Sequence, residues 1–295
     1  MAGKIQIPDE LKKELPPSPW GKTLAATPIV MTVVATMLAG LASSEMTKAQ
    51  YDRGLAAQLQ SKAGDQWEYF QAKKLRGAVA RNSLDVVSET TAIPPVDPAT
   101  LAVTDPATVA ALANGVTPPL PVPPLGDGVE AALKAVEKSR PEAEIKAALK
   151  SVTTAQLASA LAVAQGAALD FDATLKPVNS TLDRLEAQLI KGDTLVFRGF
   201  AAARLRYLSA RYEAEATLNQ RVANLYELQV RDLNVGAERH HTRSAKFFYG
   251  MLAAQLGVIV STFSMAARKK SLLWGIAAAA GAVAVTFATY VYFCL

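Results

Sequence analysis

Three apolar runs constrain this chain more than anything else in it. They cover residues 24–44, 247–267 and 272–293, and none of them contains a Lys, Arg, Asp, Glu or His. A hydrocarbon core about 30 Å thick is crossed by a helix of about 20 such residues. The chain therefore reads as an integral membrane protein whose long middle is held to the bilayer at both ends. The first run is too long for a signal-peptide core and follows a tail of mixed charge with Pro16, Pro17 and Pro19, so it reads as a retained anchor.

Composition bears on what the middle can be. Half the residues are apolar, but alanine supplies many of them and aromatics are only 7%. Alanine favours helix strongly and buries little area, which suits long, thinly packed helices better than a thick enzyme core. The net charge of +5 reads as flank charge beside membrane helices. No basic stripe with interleaved aromatics accompanies it, so no nucleic-acid partner is expected. The single cysteine, Cys294, cannot form a disulfide within the chain and reads as an inert thiol.

The expected fold is an all-α membrane protein. Three transmembrane helices carry an elongated, antiparallel, coiled-coil-like extramembrane domain with a Pro-rich connector. Residues 1–22 form a polar tail, in which 9–15 suit a short amphipathic helix ended by the prolines. The first membrane helix spans 23–44, with Pro28 in its first turn, and a long helix continues over 45–90. Nine prolines fall in 91–128, which reads as a connector, either polyproline II or irregular, with a short capped helix over 105–114. A PxxP ligand is the sharper alternative. A helical domain follows over 129–246. Pro141 is expected to start a helix at Ser139 or Arg140, Asp170, Asp172 and Pro177 to mark a break, and Asp193 to cap a fresh helix. Membrane helices over 247–267 and 272–293 flank a loop at 268–271. Leu205, Leu208, Tyr212, Val222, Tyr226 and Leu233 recur at steps of three and four or their multiples, a coiled-coil-like stripe interrupted by Glu215 and Asn219.

Two groups of residues stand out. Trp67, Phe70, Gln71 and Lys74 share one helical face, and Asp65 and Tyr69 are four apart. This face is expected to pack on the last long helix near Tyr212, with Trp67 and Phe70 buried and Gln66 or Gln71 bonding across. A partner-protein or lipid contact is the alternative. The second group suits the membrane interface: Trp20 and Lys22 before the first run, His240 and His241 before the second, and Arg268, Lys269, Lys270 and Trp274 around the hairpin. Adjacent histidines diverge on a helix, so a solvated patch is expected there rather than a metal site, and no cofactor is implied. Glu213 and Glu215 look solvated. No Walker loop, G-x-S-x-G, G-x-G-x-x-G or H-E-x-x-H occurs, which speaks against an enzyme. The membrane runs lack the ionisable groups of pumps.

Three segments resemble the bacterial domain-of-unknown-function 4337 family. They are Asp65–Lys73 (DQWEYFQAK), Tyr212–Ala216 (YEAEA), and Glu238–His241 leading into a hairpin with Arg268–Lys270 and Trp274. The resemblance covers both ends of the chain and leaves the Pro-rich middle unmatched. It implies an inner-membrane protein with three membrane helices, and no activity. The basic loop at 268–270 favours the cytoplasm. That places the N-terminus in the cytoplasm and the central domain in the periplasm. The expected role is a scaffold or accessory subunit, bound to the bilayer and assembled with itself or another membrane complex. An oligomeric channel lined by Thr32, Thr36, Ser261, Ser264 or Thr286 is the rival. A lipid- or wall-binding arm built on 91–128 is a third reading.

Overall fold

The computed structural model describes residues 19–266 and 270–294. Residues 1–18, 267–269 and 295 lie outside these, so the amphipathic helix expected over 9–15 has no structural account. Seven helices and no strand occur among the described residues. They are α1 (Pro19–Thr90), α2 (Pro106–Asn114), α3 (Asp127–Glu137), α4 (Glu142–Leu149), α5 (Thr154–Leu189), α6 (Thr194–Ala266) and α7 (Lys270–Cys294). Of these, α1, α6 and α7 each include a stretch long and apolar enough to cross a membrane.

Local chemistry sets most of the ends. Asp105 caps α2 by accepting from the Thr108 amide at 2.8 Å, with Pro106 just inside. Gly115 closes α2 at φ +65°, where a Cβ would also strike the Arg206 side chain. Thr153 and Gln156 form a reciprocal capping box at the start of α5. Asp193 accepts from the Leu195 amide at 2.7 Å, starting α6 as its sequence position suggests.

Three expectations need correction. Pro28 lies well inside α1 rather than in a first turn, because the helix already begins at Pro19. Ser139 adopts φ +49° and ends α3, so the next helix starts only at Glu142, after Pro141. No break occurs at Asp170, Asp172 and Pro177: α5 runs through all three. An interior proline costs about 3 kcal/mol. Phe171, Leu175, Val178 and Leu182 are each at most 2% exposed on the opposite side of the helix from Pro177. Each such side chain contributes about 1.5–3 kcal/mol on burial, which outweighs the loss. The chain breaks at 190–193 instead.

The described residues form two compact units. One comprises 55–233 and holds two apolar clusters. In the first, α3 and α4 pack on the first half of α5 and on Val222, Leu225 and Leu228 of α6, with Ala63 of α1. In the second, Ala111 and Leu112 of α2 meet the second half of α5 and Phe200, Ala203 and Tyr207 of α6. Segment 91–105 lies without helix beside this cluster, and Gly199 allows its approach: a Cβ there would stand 2.8 Å from the Pro94 carbonyl oxygen.

The other unit comprises the described parts of 1–54 and 234–295. Here Ala35, Leu38 and Ala42 of α1 pack with Phe247 and Ala254 of α6 and with Ala284 and Val291 of α7. Small residues face inward along each helix, with Gly250, Gly257, Ser261 and Ser264 buried on α6 and Ala277, Gly281 and Ala284 on α7. This is the composition that lets helices approach closely where lipid offers no hydrophobic drive. Gly250 illustrates it, since a Cβ would come within 3.2 Å of both Leu38 and Phe287.

Candidate functional site

The buried face of α1 repeats every seven residues. Ala35, Ala42 and Ala49 are buried in one unit, and Ala56, Ala63 and Gly77 in the other. On α6 the same spacing gives Ala202, Ser209, Ala216, Ala223 and Val230 in the 55–233 unit, then Ala237 and Ser244. Within the 55–233 unit, partners on α1 rise in number as those on α6 fall. Ala56 clusters with Val230 and Leu233, Trp67 bonds Glu227, and Gly77 faces Tyr212 and Ser209. These segments are therefore antiparallel. The expected stripe on α6 is partly corrected: Leu205, Leu208 and Tyr212 are only half-buried, and the small residues beside them fill the seam.

The DQW segment borders this seam. Trp67 Nε1 donates to Glu227 Oε1 at 2.8 Å, and the Trp67 and Phe70 rings meet edge-on at 5.3 Å. Lys73 pairs with Glu215, which also accepts from Arg211 Nε at 2.6 Å. Lys73 and Arg211 both approach the Tyr212 ring, at 5.6 and 5.5 Å. Lys74 pairs with Glu213 and lies 5.9 Å from the Phe70 ring centre. Several expectations change here. Trp67 and Phe70 are half-buried rather than buried, because Ala63 and Gly77 occupy the centre of the face. Asp65, Tyr69 and Gln71 are exposed and Gln66 is half-buried. The polar links across the two helices come from Trp67, Lys73 and Lys74 rather than from Gln66 or Gln71. Glu215 is not solvated: it is 7% exposed, and its two cations make that burial tolerable.

A second cluster lies in the other unit, just beyond the first apolar run. Glu45, 8% exposed, accepts from Lys48 Nζ at 2.9 Å and meets His240 Nδ1 at 2.6 Å, with Arg243 at 3.9 Å. Burial opposes ionisation of Glu45, but the His240 and Lys48 bonds outweigh it and hold the carboxyl below the ordinary carboxylate range. Ser244 Oγ donates to the Ala42 carbonyl at 2.7 Å. So His240 is not part of a solvated patch but is bound to α1, while His241 is half-buried on another face.

Lys22 is exposed, and Trp274 Nε1 donates to Thr27 Oγ1 at 3.2 Å. Arg268 and Lys269, and the side chains of Trp20 and Lys270, lie outside the described residues. No three His, Cys, Asp or Glu side chains converge on a metal-sized site among the described residues. Chemically, both clusters clamp helix to helix: they neutralise charge and fix register. The sequence reading missed Glu45, Lys73, Arg211 and Glu227. Their signal was complementary charge on two antiparallel strings, visible only once the register is known.

Residues 20–111 match the model of a family described as a domain of unknown function, DUF4337. The match includes the DQW segment and supports the resemblance drawn from it. It extends into the Pro-rich stretch, which was expected to lie outside. The YEAEA, Glu238–His241 and hairpin segments fall outside the matched residues. No curated protein and no solved structure matches the chain.

Proposed function

We propose that this chain, sharing its first membrane helix and DQW segment with that family, is a non-enzymatic scaffold or accessory subunit of a membrane assembly. It works by joining copies of itself or by holding another membrane complex. The observation that carries the reading is an apolar face of α1 outside the membrane span. Leu75, Val79 and Val86 are 67%, 57% and 52% exposed there, while Gly77 and Ala80 on the same turns are buried. Contiguous exposed apolar side chains on a soluble-type helix mark interaction surfaces. The ionisable groups at the two clusters are occupied in helix-to-helix pairs, which leaves them to structure rather than catalysis.

The seven-residue spacing of buried positions favours a coiled-coil-like role for α1 and α6. Residues 91–105 and 115–125 act as connectors on this reading. A bacterial inner membrane, with the N-terminus and 268–270 in the cytoplasm, follows from the basic hairpin and the family resemblance. A channel is disfavoured by one detail. The hydroxyls of Thr32, Thr36 and Thr286 donate to the carbonyls of Pro28, Thr32 and Ala282 on their own helices, so no aqueous lining is needed to satisfy them.

Sedimentation of the full chain in mild detergent tests the proposal. An oligomer or a stable complex with a membrane partner is expected, and Leu75→Lys with Val79→Lys should dissociate it. A lone monomer that captures nothing refutes the scaffold. Ion flux in reconstituted vesicles would favour the channel.

A further inference from the structure

A groove of about 600 Å³ runs between α1 and α7, inside the unit that holds the membrane runs. Its lining comes from residues 23–34 of α1 and 274–285 of α7. The two helices run parallel here, since Trp274 bonds Thr27 at one end and Gly281 meets Met31 further along. Met31 and Gly281 form the floor, backed by Gly257 of α6, where a Cβ would meet Met31 Sδ at 3.5 Å. Ala26 and Val30 on one wall, and Ala282 and Val285 on the other, are exposed. At 1.5 Å per residue each wall is about 16 Å long, close to the depth of one leaflet of hydrocarbon.

The polar atoms at the mouth of the groove are engaged with each other. Thr27 Oγ1 donates to the Thr23 carbonyl at 2.7 Å and accepts from Trp274 Nε1 at 3.2 Å. Below them the lining is wholly apolar. The mouth itself is cationic. Lys22, one turn before Ala26, is exposed, and Lys270 opens α7 one turn before Trp274, directly after Arg268 and Lys269. No Asp or Glu occurs in 15–44 or 239–295, and the tail before them carries Asp9, Glu10 and Glu14 against Lys4, Lys12 and Lys13. The nearest carboxylates along α1 and α6, Glu45 and Glu238, lie at the opposite ends of the membrane runs. Four cations thus gather at this end of the unit with no carboxylates of its own to balance them. A second copy does not answer that need: in the same bilayer orientation it would bring the same four cations to the same end.

We propose that the groove binds one anionic phospholipid. Its phosphate is met by Lys22 and the lysine that opens α7, and one acyl chain lies along the α1 and α7 walls. A zwitterionic lipid would bring an ammonium to a cationic mouth, and a free anion would leave the apolar walls uncovered. The site is independent of the assembly role proposed above.

Native mass spectrometry of the full chain, released from detergent micelles, tests the site. Palmitoyl-oleoyl phosphatidylglycerol and the phosphatidylcholine with the same chains serve as separate probes. One phosphatidylglycerol per chain should be retained, about tenfold more tightly than the choline lipid. Lys22→Gln with Lys270→Gln should bring phosphatidylglycerol down to the choline level. Ala26→Leu with Ala282→Leu, at exposed positions, fills the groove and should weaken phosphatidylglycerol about tenfold while the melting temperature holds. Glycerol phosphate, which has no chains, should not compete. Equal retention of the two lipids overturns the proposal, as does competition by glycerol phosphate. So does unchanged phosphatidylglycerol binding in the groove-filled variant, which would leave the lipid on the basic loop alone. A dimer that the same variant dissociates would give the groove to a second copy and overturn it equally.

Discussion

Replacing Ala56 and Ala63 by leucine probes the seam on which α1 and α6 meet. Ala56 is 4% exposed in a cluster with Val230 and Leu233, and Ala63 is fully buried in the cluster that holds Val222, Leu225 and Tyr226. Each substitution forces three further carbons into a space sized for a methyl group. Overpacking of this kind costs about 1–3 kcal/mol per site. The sites are seven residues apart, about 10 Å along the helix. They lie in different buried clusters, joined only through half-buried Leu59, so their costs should sum to about 2–6 kcal/mol. For a unit of this size that corresponds to a fall of roughly 5–20 °C in melting temperature. Ala57→Leu, on the exposed face, provides the control and should change stability by less than about 0.5 kcal/mol. The assay is thermal unfolding followed by helical circular dichroism in detergent. If the double variant melts within a degree or so of the parent, or if Ala57→Leu is equally damaging, the small residues do not form the contact and the seam is wrong.

Other expectations follow from individual residues. Lys73→Met leaves buried Glu215 with Arg211 alone and should cost about 1–3 kcal/mol in the same melt, with Glu215→Leu added in the double variant restoring part of the loss. Tyr207 is fully buried, and burial pushes its phenol up to about 12. Because the folded value lies above the ordinary value of 10, its neutral form contributes stability that is complete below pH 10 and is lost as pH climbs through 12. An ultraviolet tyrosinate titration should show a late-ionising phase that Tyr207→Phe removes, and an unchanged titration would contradict the burial. Gly199→Ala places a methyl against the Pro94 carbonyl and should free 91–105 from α6, read as faster proteolysis in that stretch. Protection equal to that of the parent would show that the segment does not rest on α6.

The membrane runs, the long helices and the caps at Asp105 and Asp193 were legible because each rests on local chemistry. Charge-free length, alanine content and side-chain capping need no knowledge of distant neighbours. Pro177 misled for the opposite reason. Its cost is local and visible, whereas the burial of Phe171, Leu175, Val178 and Leu182 that outweighs it depends on the tertiary partners of α5. Glu215 and Asn219 looked like interruptions to a stripe defined by large side chains. The seam runs instead through Ala202, Ser209, Ala216 and Ala223, and alanine in an alanine-rich chain stands out only when its period of seven is tested directly. The Trp67–Glu227 bond joins residues 160 apart in sequence and needed the antiparallel register before it could be drawn.

The antiparallel register of α1 and α6 within the 55–233 unit underlies the Trp67–Glu227 and Lys73–Glu215 contacts, and one crosslink reads it out. A Cβ on Gly77 would lie 3.4 Å from the Tyr212 Cβ, close to the roughly 3.5–4.5 Å separation that a disulfide bridges. With Cys294→Ser to remove the native thiol, Gly77→Cys paired with Tyr212→Cys should form an intramolecular disulfide under mild oxidation, identified by the mass of the linked peptides. Gly77→Cys paired with Leu205→Cys, two turns away on α6, should not. Efficient linkage of the second pair with none of the first would contradict the register and everything built on it.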